Sequence, residues 1–119
     1  MRHDSYTSHP ACPIEIVFDL IGGKWKSVII YNLISGTKRY SCLQKNIPRI
    51  TPRMLTRQLK DLHTNGLIIR KVYSTVPPTV EYSLSEYGKE FTPLFHSMHS
   101  LGMAFMKNNN INDVTPKTS

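Results

Sequence analysis

The sequence predicts a mainly α-helical fold with a small β-hairpin wing, on the basis of three observations. Apolar residues recur at helical spacing through most of the chain, and two short stretches of strand character flank a Pro-Pro connector. Glycine or proline marks most of the changes from one pattern to the next. At 119 residues the chain has room for one domain with one modest core.

Two helices are predicted in the first third of the chain. Residues 1–11 have no apolar period and are predicted to form a flexible arm. Pro13 suits the first turn of a helix, where its missing N–H is not needed. The helical spacing that follows consists of Ile14, Val17, Phe18 and Ile21. After Gly22 and Gly23, a second helix is expected over residues 24–34, closed by Ser35 and Gly36, with a buried side made of Trp25, Val28, Ile29 and Leu33.

The middle of the chain predicts a short helix followed by a longer one. Residues 38–40 suffice only for a short strand, and Ser41 is predicted to cap a helix that ends at Asn46. The pair Thr51-Pro52 is a strong helix-start signal, since Thr is a good N-cap and Pro is favoured at the first helical position. This longer helix is expected to reach about Asn65, with Gly66 ending it.

The last part predicts a hairpin and a final helix. Residues 67–73 and 80–84 are expected to be strands, joined by a stiff connector that contains Pro77-Pro78. A helix capped by Ser85 is expected to continue to about residue 107 and to be kinked or locally opened at Pro93. Residues 108–119 are expected to be a disordered tail. The order of elements over residues 12–107 is that of a winged helix-turn-helix domain.

The charge distribution indicates an anionic partner. The net charge is +7 and the pI is about 9.6. Between Asp19 and Asp61 the chain has no acidic residue but nine basic ones: Lys24, Lys26, Lys38, Arg39, Lys45, Arg49, Arg53, Arg57 and Lys60. The phosphate backbone of double-stranded DNA is the favoured partner. Charge alone does not exclude a membrane surface, but no apolar run approaches the roughly 20 residues that span a bilayer. No signal peptide is recognised, so a cytoplasmic location is expected.

The predicted helix after Thr51 has two contrasting faces. Leu55, Leu59 and Leu62 share one face, while the opposite face carries Arg53, Thr56, Arg57, Lys60 and Thr64. Arg53, Thr56 and Arg57 are predicted to contact bases, because residues near the start of a recognition helix reach deepest. The full predicted DNA-binding set is Lys38, Arg39, Lys45, Arg49, Thr51, Arg53, Thr56, Arg57, Lys60, Arg70 and Lys71. The alternative is a solvated basic face, although ordinary surface helices mix charges of both signs.

Several stretches resemble the HxlR-type winged helix-turn-helix regulators, which are related in architecture to MarR-type regulators. The matching segments are CP at 12–13, DLIGGKWK at 19–26, GTKRY at 36–40, IPRITPRMLTRQLKDLHTNGLI at 47–68 and VPPTVEYSLSEYG at 76–88. The resemblance implies a homodimer, formed through the first and last helices, that binds a pseudo-palindromic operator and represses or activates nearby genes. The chain departs from the family pattern at Arg49, where Gly is common after Pro, and at Leu101-Gly102, where members often carry Trp.

A stripe of large side chains along the predicted last helix supports a partner surface. Together with the first helix it gives the predicted dimer interface: Ile14, Val17, Phe18, Phe91, Leu94, Phe95, Met98, Leu101 and Phe105. The alternative is that the stripe belongs to the core of a single protomer. An interface is favoured because Trp25, the leucine face and the strands already supply a core for a chain of this size.

The two cysteines leave two interpretations open. Cys12 precedes the first helix, whose dipole favours a thiolate there, and relatives with Cys at this position respond to oxidants or electrophiles. The resemblance therefore implies a redox or electrophile sensor, while the alternative is a small buried apolar residue. Cys42 is expected in the core, and a Cys12–Cys42 bond stays open.

No chemistry-bearing constellation is recognised, so no cofactor and no enzymatic activity are expected. His96 and His99 make at most a weak metal site, and no metal is predicted. The other function considered is a non-specific architectural DNA binder or a protein-interaction module without effector sensing.

Overall fold

The computed structural model describes residues 12–112, so the predicted N-terminal arm and residues 113–119 of the predicted tail lie outside the described part. Helices and a small sheet alternate in the order that the sequence predicts. In chain order the elements are α1 (Pro13–Ile21), α2 (Gly23–Ile34), β1 (Lys38–Arg39), α3 (Tyr40–Asn46), α4 (Pro52–Thr64), β2 (Ile68–Tyr73), β3 (Thr79–Leu84), α5 (Glu86–Lys89) and α6 (Thr92–Asn108).

Helix α2 runs through the centre of the domain. Ile29, Ile30 and Leu33 are buried, whereas Trp25 and Val28 are half-buried and pack against the core. Asn32 is also buried, with its Nδ2 donating to the Val28 carbonyl at 2.9 Å. Of the four residues predicted for the buried side, Ile29 and Leu33 are confirmed as buried. The side of α2 that faces the core also includes Ile30 and Asn32.

The helix-turn-helix consists of α3, the loop over residues 47–51 and α4. The predicted cap of α3 is wrong by two residues, because the helix begins at Tyr40 and its N-cap position is Arg39. The predicted start of α4 is confirmed: the Thr51 side chain accepts a hydrogen bond from the Met54 backbone N–H at 3.1 Å. The end is confirmed too, since Gly66 has φ +78°, which glycine adopts without the strain of a Cβ.

The sheet has three antiparallel strands in the order β1-β3-β2. Strands β2 and β3 form the predicted hairpin, with Ile68 opposite Leu84 and Tyr73 opposite Thr79. Strand β1 pairs with β3 on the other side, Lys38 lying opposite Tyr82. This second pairing anchors the segment before α3 to the wing.

The last predicted helix is two helices. Ser85 caps α5 as predicted, accepting from the Gly88 N–H at 2.9 Å. The helix then breaks, and Pro93 lies in the first turn of α6 rather than in a helix interior. Proline is well tolerated in a first turn, where a backbone N–H would have no helical partner. The expected disturbance at Pro93 is therefore a break between two helices and not a kink within one.

One hydrophobic cluster holds these elements together. Its fully buried members come from α2, α3, α4 and the start of β2, and Phe91 and Phe95 close it from the C-terminal side. A stack between the rings of Tyr31 and His99, with centroids 5.3 Å apart, also joins α6 to α2. Within residues 12–112, none of the helices has the length and apolar character that crossing a bilayer requires.

Candidate nucleic-acid interface

Helix α4 separates its two faces as the sequence predicts. Leu55, Leu59 and Leu62 are at most 2% exposed and lie in the core. On the other face, all four side chains predicted to project together are exposed: Arg53, Thr56, Arg57 and Lys60. The leucines fix the rotation of α4 about its axis, and this rotation directs the basic face outward.

The one acidic residue of α4 is matched inside the protein. Asp61 lies 3.3 Å from the Lys26 ammonium, and Lys26 also donates to the Gln58 side-chain oxygen at 2.8 Å. Lys26 therefore has partners inside the protein, so this member of the basic run is not available to an external anion. Among the described residues Asp61 pairs with Lys26 and not with Arg57 or Lys60, so the outward face of α4 keeps its cations.

A tyrosine that sequence reasoning missed contacts the start of α4. The Tyr40 hydroxyl lies 3.1 Å from the Pro52 carbonyl oxygen and 3.1 Å from the Thr56 hydroxyl. Its ring is half-buried against the core. No local pattern announces this contact, since the partners are 12 and 16 residues away.

The loop between α3 and α4 holds Arg49 in an unusual backbone conformation. Arg49 has φ +65°, in the left-handed region, and its side chain is exposed. The Gln44 side-chain amide donates to the Ile50 carbonyl and ties the loop to α3. Arg49 thus occupies a position where the family commonly has Gly, and it adds a positive charge on a backbone conformation that favours glycine.

Lys38 does not fit the predicted phosphate contact. The residue is only 8% exposed, and its ammonium donates to the Ser35 hydroxyl at 2.8 Å. Its neighbour Arg39 is different: the side chain is 66% exposed and its Nε lies 4.0 Å from Glu81, which is a weak pairing. We therefore retain Arg39 and leave Lys38 out of the candidate interface.

The wing offers its two cations in opposite directions. Arg70 and Lys71 are both exposed, but neighbouring residues of a strand point to opposite faces. Lys71 lies opposite Glu81, which is also the partner of Arg39, and its ammonium lies 5.0 Å from the Tyr73 ring centroid. A single phosphate cannot meet both side chains, so the wing is a weaker part of the interface than α4.

A second surface consists of exposed apolar side chains on α1 and α6. Ile14 and Phe18 on α1 are 65% and 67% exposed, and Leu101 and Phe105 on α6 are 72% and 62% exposed. The other exposed predicted members are Leu94 and Met98. We call these six residues the apolar face.

Three residues of the predicted interface belong elsewhere. Phe91 and Phe95 are 9% and 3% exposed and lie in the hydrophobic cluster of a single protomer. Their prediction as dimer contacts is therefore wrong. Val17 is half-buried against the same cluster. The stripe on the last helix therefore divides between core and surface.

The two cysteines differ in exposure. Cys12 is exposed at the N-cap of α1, and its backbone N–H donates to the Glu15 carboxylate at 3.3 Å. Exposure contradicts the interpretation of Cys12 as a buried apolar residue. Cys42 is half-buried, and the Asn46 amide donates to its sulfur at 3.4 Å. Both thiols are free in this structure.

Comparison with known families agrees with this geometry. A family model described as HxlR-like helix-turn-helix matches residues 20–110. The chain belongs to the HxlR family. It is 50% identical over 91 residues to the uncharacterized HTH-type transcriptional regulator YdeP of Bacillus subtilis, which covers 76% of this chain and 71% of that protein.

Solved structures of similar proteins include a redox regulator and a transcriptional regulator. The redox regulator HypR in its oxidized form is 45% identical and superposes with a TM-score of 0.75, covering 78% of this chain and 96% of HypR. The reduced form of the transcriptional regulator YodB from B. subtilis is 35% identical, with a TM-score of 0.67 over 76% of this chain and 89% of YodB. The winged helix-turn-helix architecture predicted from the sequence is confirmed.

Proposed function

We propose that this HxlR-family protein regulates transcription in the cytoplasm as a homodimer that binds a pseudo-palindromic operator. Helix α4 of each protomer enters the major groove, where Arg53, Thr56 and Arg57 contact base edges. Phosphate contacts come from the exposed cations and the cap residue around it: Arg39, Lys45, Arg49, Thr51 and Lys60. The observation that carries the proposal is the outward cationic face of α4, anchored by buried leucines on its other side.

The pairing of Asp61 favours DNA over a merely solvated basic face. A solvated helix gains a few tenths of a kcal/mol from each ion pair between side chains four residues apart on its own surface. Asp61 lies four residues after Arg57, yet it pairs with Lys26 of α2. The cations of α4 are thus left without acidic partners on their own face, which suits a polyanionic ligand.

The apolar face supports the homodimer. Helix α6 has 17 residues, of which only Phe95 is buried. Six large apolar side chains of α1 and α6 are 39–72% exposed, which is unusual for a monomeric protein in water. Burial of this surface against a second copy also gives the two α4 helices a fixed separation, as two half-sites of an operator require.

Substitution of Arg57 tests the role of α4. We expect Arg57→Ala to weaken binding to the operator by about 1–3 kcal/mol more than binding to random DNA, because a bidentate contact to guanine is lost. Lys45→Ala is the control, since loss of a phosphate contact weakens binding to both DNAs equally. Gel-shift titrations on both DNAs measure the difference, and equal losses for Arg57→Ala would contradict a base contact.

Footprinting separates regulation from non-specific binding. Protection of a defined inverted repeat supports a dimeric regulator. Uniform protection along the DNA supports the architectural binder instead.

Cys12 is proposed as a redox or electrophile sensor. The thiol is exposed and begins the helix that carries Ile14 and Phe18 of the apolar face, so its modification would alter the surroundings of the proposed dimer contact. The similarity to HypR and YodB supports this proposal. Diamide joins two thiols in a disulfide and is expected to change operator binding by the wild-type protein but not by Cys12→Ser. The response of Cys42→Ser shows whether the second thiol is Cys42 or the Cys12 of a second copy. Unchanged binding in all three proteins would make Cys12 structural.

A further inference from the structure

We propose that Tyr40 is a positioning residue that fixes how Thr56 reads the operator, and that the base pair facing Thr56 is A·T. The inference rests on the proposed function, because it concerns the base contacts of α4. It follows from three groups at the start of α4: the hydroxyls of Tyr40 and Thr56, which have one proton each, and the Pro52 carbonyl, which can only accept.

The direction of each hydrogen bond is determined by the Pro52 carbonyl. This oxygen only accepts, so the Tyr40 hydroxyl donates its one proton to it across 3.1 Å. Either oxygen has donor geometry in the 3.1 Å contact between the two hydroxyl groups. Because the Tyr40 proton is directed to Pro52, we assign Thr56 as the donor of this second hydrogen bond. The Thr56 hydroxyl proton therefore points toward Tyr40.

This arrangement limits what Thr56 can recognise. Its oxygen still offers a lone pair, and its methyl group is free, but it has no proton for an external acceptor. Guanine O6 and N7 and the phosphate oxygens are acceptors, so they are disfavoured partners. The amino groups of adenine (N6) and cytosine (N4) are both donors that the Thr56 oxygen can accept from. Only the A·T pair adds the apolar thymine C5 methyl, which the Thr56 methyl group can contact, so A·T presents both complementary groups in the major groove.

Tyr40 is built to hold this geometry. Its ring is half-buried against the core at the first position of α3, and its hydroxyl reaches the first turn of α4. One side chain thus joins the two helices of the helix-turn-helix and orients a residue of the reading face. Phenylalanine at position 40 would keep the packing of the ring and remove only the two hydrogen bonds.

The experiment begins with selection of an operator from random duplex DNA by the full-length protein. Affinities are then measured for every single base-pair variant of that operator, with wild type, Tyr40→Phe, Thr56→Val and the double variant. We expect Tyr40→Phe to weaken operator binding about 3- to 10-fold, which is the effect of losing the one hydrogen bond between Thr56 and its base. The preference at one A·T pair per half-site should be lost as well. Thr56→Val should alter the preference at the same pair, and the double variant should add little.

Tyr31→Phe is the matched control, since it removes a tyrosine hydroxyl from α2 and should leave the preference at every base pair unchanged. A thermal melt of each variant verifies folding. Thr56→Val tests the same contact should Tyr40→Phe unfold.

Four results would overturn the inference. If Tyr40→Phe keeps every base preference while Arg57→Ala loses operator selectivity, Tyr40 has no part in readout and the proposed function stands. An equal loss on all DNA variants would make Tyr40 structural only. A G·C pair at the position sensitive to Thr56→Val would refute the assignment of an A·T pair. If the wild-type protein selects no defined repeat, the proposed function fails together with the inference.

Discussion

Arg49→Gly is expected to make the folded protein more stable while it weakens DNA binding. The backbone at this position has φ +65°, which costs a residue with a Cβ about 1–2 kcal/mol. Glycine removes this strain but gives the unfolded chain extra freedom, which lowers stability by about 0.4–1 kcal/mol. The net gain is therefore about 0–1.6 kcal/mol, with a midpoint of about 0.8 kcal/mol. The midpoint corresponds to about 3–5 °C in Tm for a domain of this size.

The effect on DNA binding has the opposite sign. Each protomer loses one exposed cation beside α4. For each phosphate contact, the plot of log K against log salt concentration has a slope of about −0.9. If Arg49 contacts a phosphate in both protomers, its loss makes the slope measured for the dimer about 1.8 less steep. The assays are a thermal or urea melt of the free protein and binding titrations at several salt concentrations.

Arg49→Ala is the matched control for both effects. It removes the same charge but keeps a Cβ on the left-handed backbone, so it should show the weaker salt dependence without the gain in stability. Equal stability of the Gly and Ala variants would refute the role of backbone strain. An unchanged salt slope in both variants would refute the phosphate contact.

The other predictions concern the apolar face and the Asp61 pair. Leu101→Glu should shift the protein toward monomer in sedimentation velocity with little change in the fold. If this variant still forms a dimer, the interface lies elsewhere. Phe95→Ala, by contrast, should lower the free energy of unfolding by about 3–5 kcal/mol. Asp61→Ala should lower the free energy of unfolding by about 1–2 kcal/mol, because the partly buried Lys26 ammonium loses a charged partner, and a urea melt equal to wild type would show that the pair contributes nothing.

The elements that the sequence predicts well are those decided by neighbouring residues. The start of α4 depends on Thr51 and Pro52, its rotation on three leucines at helical spacing, and its end on Gly66. Each of these signals lies within one or two turns of the feature it determines. The hairpin follows for the same reason, since its connector and alternation are local.

The residues that were misplaced depend on contacts between distant parts of the chain. Lys38 is buried because β1 pairs with β3, and a two-residue strand is too short to show which of its side chains faces inward. Phe95 and Leu101 belong to one stripe in the sequence, but only the packed domain shows that the first reaches the core and the second does not. The site lacked Tyr40 for the same reason, as its hydroxyl finds partners on another helix.

The fold assigns stability and DNA binding to opposite faces of a single helix, and Asp61 shows how the two are kept compatible. A carboxylate on the outward face would pair with Arg57 or Lys60 and reduce the charge available to a phosphate backbone. Since Asp61 instead contacts Lys26, it joins α4 to α2, in the same direction as the buried leucines. The negative charge thus strengthens the attachment of α4 to the domain and leaves its outward charge intact. Substitutions on the inner face should therefore affect folding first, and substitutions of the outward cations should affect DNA binding with the fold preserved.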